Sequence, residues 1–151
     1  MRVAARVVSV TGLVALSALH VVWAAGSPWP AKNRARLAEA VVGQTVEMPA
    51  AGPTAVIAVG AAGVGLMASG ALGDGRMPRL AMRALGTVML LRASLGGDAA
   101  LAALRLPPSG ETFRRLDRRY YRPFAALLGV SLWLAAADAR ASTRRRRSVR
   151  R

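Results

Sequence analysis

Between Arg6 and Gly26 the chain reads VVSVTGLVALSALHVVWAA, nineteen residues without a charged side chain when its one histidine is neutral. A helix rises about 1.5 Å per residue, so about twenty apolar residues match the roughly 30 Å hydrocarbon core of a bilayer. Within that core a helix satisfies all of its own backbone hydrogen bonds. The stretch therefore predicts a membrane-spanning helix.

Three further apolar blocks follow. The second is uncharged over twenty-one residues and begins at Pro53, which suits the first turn of a helix. The third carries two arginines and an aspartate, and the fourth leads into an arginine-rich tail. We therefore predict an all-α fold, an integral membrane four-helix bundle with both termini on the same side. The predicted units are a single membrane domain, 1–139, with approximate spans 7–25, 53–73, 80–101 and 120–138, and a basic C-terminal tail, 140–151, predicted to be disordered.

The composition agrees with a membrane protein. Of the 151 residues 54% are hydrophobic and 19% charged, and there is no cysteine. A disordered chain is poor in apolar residues and a disulfide scaffold needs cysteine, so both classes are excluded. An alternative for the first block is a cleaved signal peptide ending at VWA before Ala25. Nineteen residues exceed the usual 7–15-residue apolar core of such a peptide, so a span is favoured.

The third block inserts less readily than the others. An arginine at the centre of a spanning helix costs about 2.5–3.5 kcal/mol on insertion scales. The block therefore needs Arg83 and Arg92 near opposite ends, or a partner for Arg92 inside the bundle. Asp98 lies six positions after Arg92, about 240° around a helix, and so faces elsewhere. We predict that Arg92 pairs with Asp117 or with a tyrosine hydroxyl.

The basic residues predict the orientation. The chain has a net charge of +15, and eleven basic residues flank the spans on the side of the N-terminus against nine on the other side. The positive-inside rule thus places both termini in the cytoplasm. The arginine tail is expected to attract anionic lipid headgroups. It has no interleaved aromatic residues or folded motif, so no nucleic-acid partner is expected.

Consecutive spans alternate in direction, so the end of the first, the end of the third and the start of the fourth meet on one side of the membrane. We predict there a polar cluster, ligand-binding or structural: His20, Trp23, Arg92, Asp98, Asp117, Arg118 and Tyr121. The plain reading of His20 is a neutral imidazole bonded to a neighbouring helix. With one histidine and no cysteine, neither a bis-histidine haem within one protomer nor a His/Cys metal cluster can form. No metal or other cofactor is expected.

The second block carries small residues at every fourth position: Ala61, Gly65, Ser69 and Gly73. Such spacing allows close approach of two helix backbones in lipid. We predict that this face packs inside the bundle.

Three segments carry a family resemblance. They are LHVVWA at 19–24, LRASLGG at 91–97 and FRRLDRRYYRPF at 113–124; the most specific piece is D-R-x-x-Y-x-P, here Asp117, Arg118, Tyr121 and Pro123. The chain resembles domain-of-unknown-function family 3995, small four-span membrane proteins of bacteria. The resemblance implies a multi-pass location and four spans, and it brings no activity, substrate or cofactor.

The function favoured by these features is that of a small scaffold or partner-binding membrane protein. The alternative is a transporter or a lipid- or anion-binding protein that uses Arg92 and the Arg114–Arg122 flank. An intramembrane enzyme pairing His20 with Asp98 or Asp117 ranks last, because no nucleophile constellation or metal motif accompanies them. We therefore expect no enzymatic activity.

Overall fold

The computed structural model describes residues 2–43, 50–103, 105 and 107–149, with side chains described to residue 137 apart from 2 and 100. The elements are α1 (Arg2–Ala24), α2 (Arg34–Val41), α3 (Ala51–Ser69), α4 (Arg76–Leu95), α5 (Gly97–Ala103), α6 (Glu111–Leu116), a π-helical turn (Asp117–Tyr121) and α7 (Arg122–Val149). No strand occurs among these residues, and the predicted all-α class is confirmed.

Two helices, Val3–Ala24 and Ala51–Ser69, are long and apolar enough to cross a membrane. A third span results only if α4 and α5, which meet at a 107° bend, are counted as one. Among the described residues the candidate spans thus number two or three, and the count of four stays a prediction. Helix α4 carries four arginines, and α7 has only fifteen residues between its first arginine and the next charged residue. Fifteen residues reach about 22 Å, short of the roughly 30 Å core.

The long helices pack as antiparallel neighbours. Between α1 and α3, Leu13 lies beside Gly65, and the Ser17 hydroxyl donates to the Ala58 carbonyl at 2.9 Å. Residue numbers therefore rise along one helix as they fall along the other. Helix α7 packs on α1 through a buried hydrogen bond from Ser9 to Ser131, 2.9 Å long. It also packs on α4, with Gly86 beside Trp133 and Leu90 beside Gly129, so these two helices are antiparallel as well.

Helices α4 and α7 touch through their backbones. A Cβ added to Gly129 would lie 2.9 Å from the Gly86 carbonyl oxygen, and one added to Gly86 would lie 2.9 Å from the ring of Trp133. Real Cβ atoms do not come this close, so both positions require glycine. Close backbone approach is how helices associate in lipid, where packing rather than apolar burial drives association.

Small residues lie inside and branched residues outside. The interior of the helix contacts includes Ala61, Ala68, Ala135 and Ala136 around a few larger side chains. The outer faces carry large apolar side chains that are at least half exposed: Val3, Val7, Val14, Val21, Val56, Ile57, Val59, Leu66, Val88, Leu91 and Leu127. A water-soluble monomer does not normally expose apolar surface on this scale, whereas lipid solvates it.

The face of small residues predicted on α3 is buried along only part of its length. Ala61 and Gly65 are buried, as expected, but Ser69 is exposed and Gly73 lies past the end of the helix. The buried positions instead follow a shorter spacing and include Ala58 and Ala68. A strict spacing of four advances about 40° per step around a helix with 3.6 residues per turn, so the pattern drifts off the contact face.

Helix α7 extends into the basic C-terminal segment. The backbone of α7 remains helical to Val149. No glycine or proline follows Gly129, and arginine is a good helix former, so the helix of the fourth block has no signal to end. Side chains beyond residue 137, and residues 150 and 151, lie outside the described part of the chain.

Candidate functional site

The candidate site forms where α4 ends. Gly96 has φ +81°, a conformation that side-chain-bearing residues rarely adopt, and its N–H donates to the Arg92 carbonyl at 3.1 Å. The chain turns there into α5. A Cβ on Gly97 would lie 2.3 Å from the ring of Phe113, so α5 meets α6 only because this residue is glycine. The predicted third span therefore ends at Leu95 as a regular helix.

The predicted pairing of Arg92 with Asp117 is present. Nη2 of Arg92 lies 2.5 Å from Oδ1 of Asp117, whose side chain is only 7% exposed. The other carboxylate oxygen accepts the Gly97 N–H at 3.0 Å. The Arg92 guanidinium also lies over the ring of Phe113, 5.9 Å from its centroid. One aspartate thus joins α4, α5 and the π-helical turn.

The π-helical turn aims these side chains. Pro123 has no N–H and cannot make the regular hydrogen bond to the residue four before it. The N–H of Arg122, beside it, donates to the Asp117 carbonyl five residues back, which is the π-helical pattern. The extra residue in the turn leaves Asp117 against the α4–α5 bend. Tyr121 reaches the other way, and its hydroxyl donates to the Ala40 carbonyl of α2 at 3.1 Å. The D-R-x-x-Y-x-P segment lies on this turn.

Arg122 caps the preceding long helix. Its Nε donates to the Ala93 carbonyl at 2.7 Å and its Nη2 to the Ser94 carbonyl at 2.6 Å. The last carbonyls of a helix have no partner within the helix, and a cation there also suits the negative end of the helix dipole. This contact fixes α7 against α4 at the bend.

Asp98 belongs to a second group, beyond the bend and outside the long helices. Its Oδ1 accepts hydrogen bonds from the hydroxyl and from the backbone N–H of Ser109. These bonds hold the pKa of the Asp98 carboxyl below its ordinary value, and the nearby Arg114 guanidinium acts in the same direction. Arg114 in turn donates to the Ser109 carbonyl at 2.8 Å. Asp98 therefore ties α5 to the start of α6.

A cleft of about 110 Å³ opens between the bend and the helix that carries the π turn. We call it the arginine cleft; its lining residues are Leu95, Gly96, Gly97, Asp98, Arg114, Asp117, Arg118 and Arg122. The three arginines follow one another at intervals of four. Arg118 is exposed and has no hydrogen bond or ion pair with any described residue. It is the cleft's unpaired cation.

Helix α2 covers the opposite side of α6. The Thr112 hydroxyl donates to Oε1 of Glu39 at 2.7 Å, and the Gly110 N–H donates to the Gly43 carbonyl at 2.8 Å. Phe113, between the two helices and the bend, is 4% exposed. Sequence reasoning missed Glu39, Gly43 and Ser109, since their partners lie far along the chain and no spacing pattern marks them.

His20 and Trp23 lie apart from the ion pair. The His20 Nδ1–H donates to the Leu16 carbonyl of its own helix at 2.8 Å, rather than to a neighbouring helix. Trp23 Nε1 donates to the Trp29 carbonyl at 2.7 Å. The centroids of the His20 and Trp23 rings are 5.0 Å apart. No contact in the described residues joins either one to Arg92 or Asp117. The predicted cluster thus divides into an α1 group and the group at the α4–α5 bend.

In the described part of the chain no group of three or more His, Asp or Glu side chains could hold a metal ion.

Comparison with known proteins identifies the family of the chain. No curated protein and no solved structure matches the chain. A family model described as "Protein of unknown function (DUF3995)" matches residues 13–132, most of the chain, including the second half of α1, the ion pair and the π turn. The chain therefore belongs to the DUF3995 family of proteins of unknown function.

Proposed function

We propose that the protein is a multi-pass protein of the bacterial inner membrane, which it spans with α1, α3, α4 and α7, and that both termini are cytoplasmic. The exposed valines and leucines of these helices support lipid contact. The arginines of α4 are partly compensated. Arg92 has its carboxylate partner, and Arg83 lies over the ring of Trp133, 5.2 Å from the centroid.

The short apolar part of α7 fits this proposal if its ends lie near the membrane surfaces. Arg122 is bonded to backbone carbonyls at the end of α4, and Tyr120 is exposed beside it. Tyrosine and arginine are residues that anchor spans at the interface, and a bilayer accommodates a short span by local thinning. The arginine cleft would then lie at the periplasmic surface.

In that position the protein binds an anionic group in the arginine cleft. The single observation that supports this function is Arg118, a cation without a described partner between two other arginines that line the same cleft. Counting Arg92, four arginines face two aspartates, and Asp117 is already bound by Arg92 and the Gly97 N–H. A guanidinium binds phosphate or carboxylate through paired hydrogen bonds, so an anion of this kind is the matching ligand.

A scaffold or partner-binding role is the second candidate. The observation that favours it is the fixed surface formed by α2, α6 and the π turn, which Tyr121, Thr112 and Gly110 tie together. Trp29 is 63% exposed on the same side of the chain. Preorganised surfaces with exposed aromatic and arginine residues are typical of binding sites for proteins. The partner in that case is another membrane protein.

We propose no catalytic role. The acid–base pair considered from the sequence, His20 with Asp98 or Asp117, is not assembled, since His20 bonds to Leu16 and each aspartate has other partners.

Anion binding is tested by heating the full chain in mild detergent with inorganic phosphate or with chloride at equal ionic strength. A ligand bound only by the folded state raises the unfolding midpoint with concentration. We expect phosphate to raise it, and Arg118→Gln to abolish the increase. Arg119→Gln is the matched control, because Arg119 lies over the ring of Tyr120 and does not line the cleft. Equal behaviour of phosphate and chloride with the wild-type chain, together with no binding of an anionic lipid, would exclude the proposed function.

A reporter fused to the C-terminus tests the orientation separately. We expect activity from a cytoplasmic reporter and none from a periplasmic one. The opposite result would place the arginine cleft in the cytoplasm without affecting its chemistry.

A further inference from the structure

The arginine cleft borders an apolar surface as well as charged groups. Leu95, which lines the cleft, is 65% exposed. Leu91 and Val88 lie four and seven positions earlier on α4 and are 53% and 54% exposed. This spacing places all three on one side of the helix, in a strip about 10 Å long that ends at the cleft.

The cleft and the apolar strip match the two parts of a phospholipid, its headgroup and its acyl chains. The cleft supplies guanidinium groups for a phosphate, and the strip supplies apolar contact for an acyl chain. A free inorganic anion would use only the first. We infer that the ligand of the arginine cleft is an anionic phospholipid, its phosphodiester held by Arg114, Arg118 and Arg122 and an acyl chain lying on Val88, Leu91 and Leu95. This inference rests on the proposed function and narrows it to one ligand class.

Charge selects among phospholipids. The arginines give the cleft an excess of positive charge, and its exposed carboxylate, Asp98, already accepts two hydrogen bonds from Ser109. A zwitterionic headgroup would bring its own cation towards the arginines, and like charges repel. A lipid with a net negative headgroup has no such penalty. Phosphatidylglycerol is therefore the appropriate probe, with phosphatidylcholine of the same acyl chains as the zwitterionic comparison.

The floor of the cleft leaves space for a phosphate. Gly96 and Gly97 line it without side chains, and a Cβ on Gly96 would lie 3.5 Å from both Asp117 Oδ2 and a terminal nitrogen of Arg122. Arg122 and Arg114 are already oriented by their bonds to backbone carbonyls. A phosphate would therefore meet two fixed guanidinium groups, and Arg118, none of whose donors bonds to a described residue, would be the third.

The test is a titration of the full chain in dodecyl maltoside with each lipid, followed by native mass spectrometry, beside the same titration with inorganic phosphate. We expect phosphatidylglycerol to bind more tightly than phosphatidylcholine. Arg118→Gln should weaken phosphatidylglycerol about tenfold, the usual effect of losing a charged hydrogen bond. Arg119→Gln should leave it unchanged. Both arginines are exposed, so neither change endangers the fold.

A second pair of variants separates lipid from free anion. Leu95→Ser should weaken phosphatidylglycerol and leave phosphate binding unchanged, whereas Leu80→Ser, an exposed leucine at the far end of α4, should affect neither. Arg118-dependent phosphate binding with no effect of Leu95→Ser on lipid would overturn the lipid inference and leave the proposed function standing. Equal losses in the Arg118 and Arg119 variants would also overturn it, as binding would then follow general surface charge. Absence of binding by both probes would overturn both proposals.

Discussion

Replacing Asp117 by asparagine tests the central contact of the site. The change keeps the size of the side chain and removes its charge, so Arg92 remains largely buried without a counter-charge. The Arg92 side chain is 25% exposed and the Asp117 side chain 7%. Removing one partner of a buried ion pair costs about 3–5 kcal/mol. Because water still reaches the exposed quarter of the Arg92 side chain, we expect the free energy of unfolding to fall by about 3 kcal/mol, at the low end of that range.

The assay is thermal unfolding of the full chain in detergent, followed by circular dichroism. For a chain of this length, about 3 kcal/mol corresponds to a midpoint lowered by roughly 6–12 °C. Asp98→Asn is the comparison in the same region: Asp98 is exposed, so water can replace part of what the change removes, and its midpoint should fall less than that of Asp117→Asn. The double variant Arg92→Leu with Asp117→Asn removes both charges and should be more stable than Asp117→Asn alone. A midpoint for Asp117→Asn within a degree of the wild type would refute the reasoning.

Three further changes test other contacts. Gly65→Leu should lower the unfolding midpoint, because the new side chain meets Leu13. At Gly60 nothing lies within 4 Å of an added Cβ, so Gly60→Leu should leave the midpoint nearly unchanged. Equal effects of the two changes would contradict the assigned α1–α3 face. Tyr121→Phe removes the hydrogen bond to Ala40, worth about 1 kcal/mol, and should speed amide hydrogen exchange in α2, Arg34–Val41. Unchanged exchange would contradict the anchoring of α2. Folding lowers the pKa of Asp98, so its stabilisation is present above the ordinary value of about 3.9 and is lost as the pH falls through the folded value. Asp98→Asn should therefore be less stable than the wild type near neutral pH and equal to it in strong acid, as followed by denaturation at several pH values.

The pairing of Arg92 with Asp117 could be predicted because two simple facts were enough. An arginine in an apolar helix needs a partner, and alternation of direction brings the start of the fourth block to the end of the third. The rotation of about 240° between Arg92 and Asp98 excluded the nearer aspartate. These arguments use only helix geometry and charge, which can be obtained from the sequence.

Other features depend on contacts that no local pattern records. Gly86 and Gly129, at which α4 and α7 come close, lie forty-three positions apart in the sequence, and neither glycine stands in a recognisable motif. Helix α2 packs on α6 through Glu39 and Thr112, which only the fold brings together. The separation of His20 from the ion pair is also tertiary, because a shared membrane side does not imply contact. Ser69 does not lie on the buried face of α3, because a spacing of four residues does not match the helical repeat of 3.6 residues per turn.

The central claim is that the exposed apolar faces of the long helices contact lipid tails. Extraction of membranes at alkaline pH tests it most directly, since this treatment removes proteins held by charge and leaves those embedded in the bilayer. We predict that the full chain, net charge +15, stays with the membrane pellet and is released only by detergent. Recovery in the alkaline supernatant, as a folded and monodisperse protein on return to neutral buffer, would contradict the account.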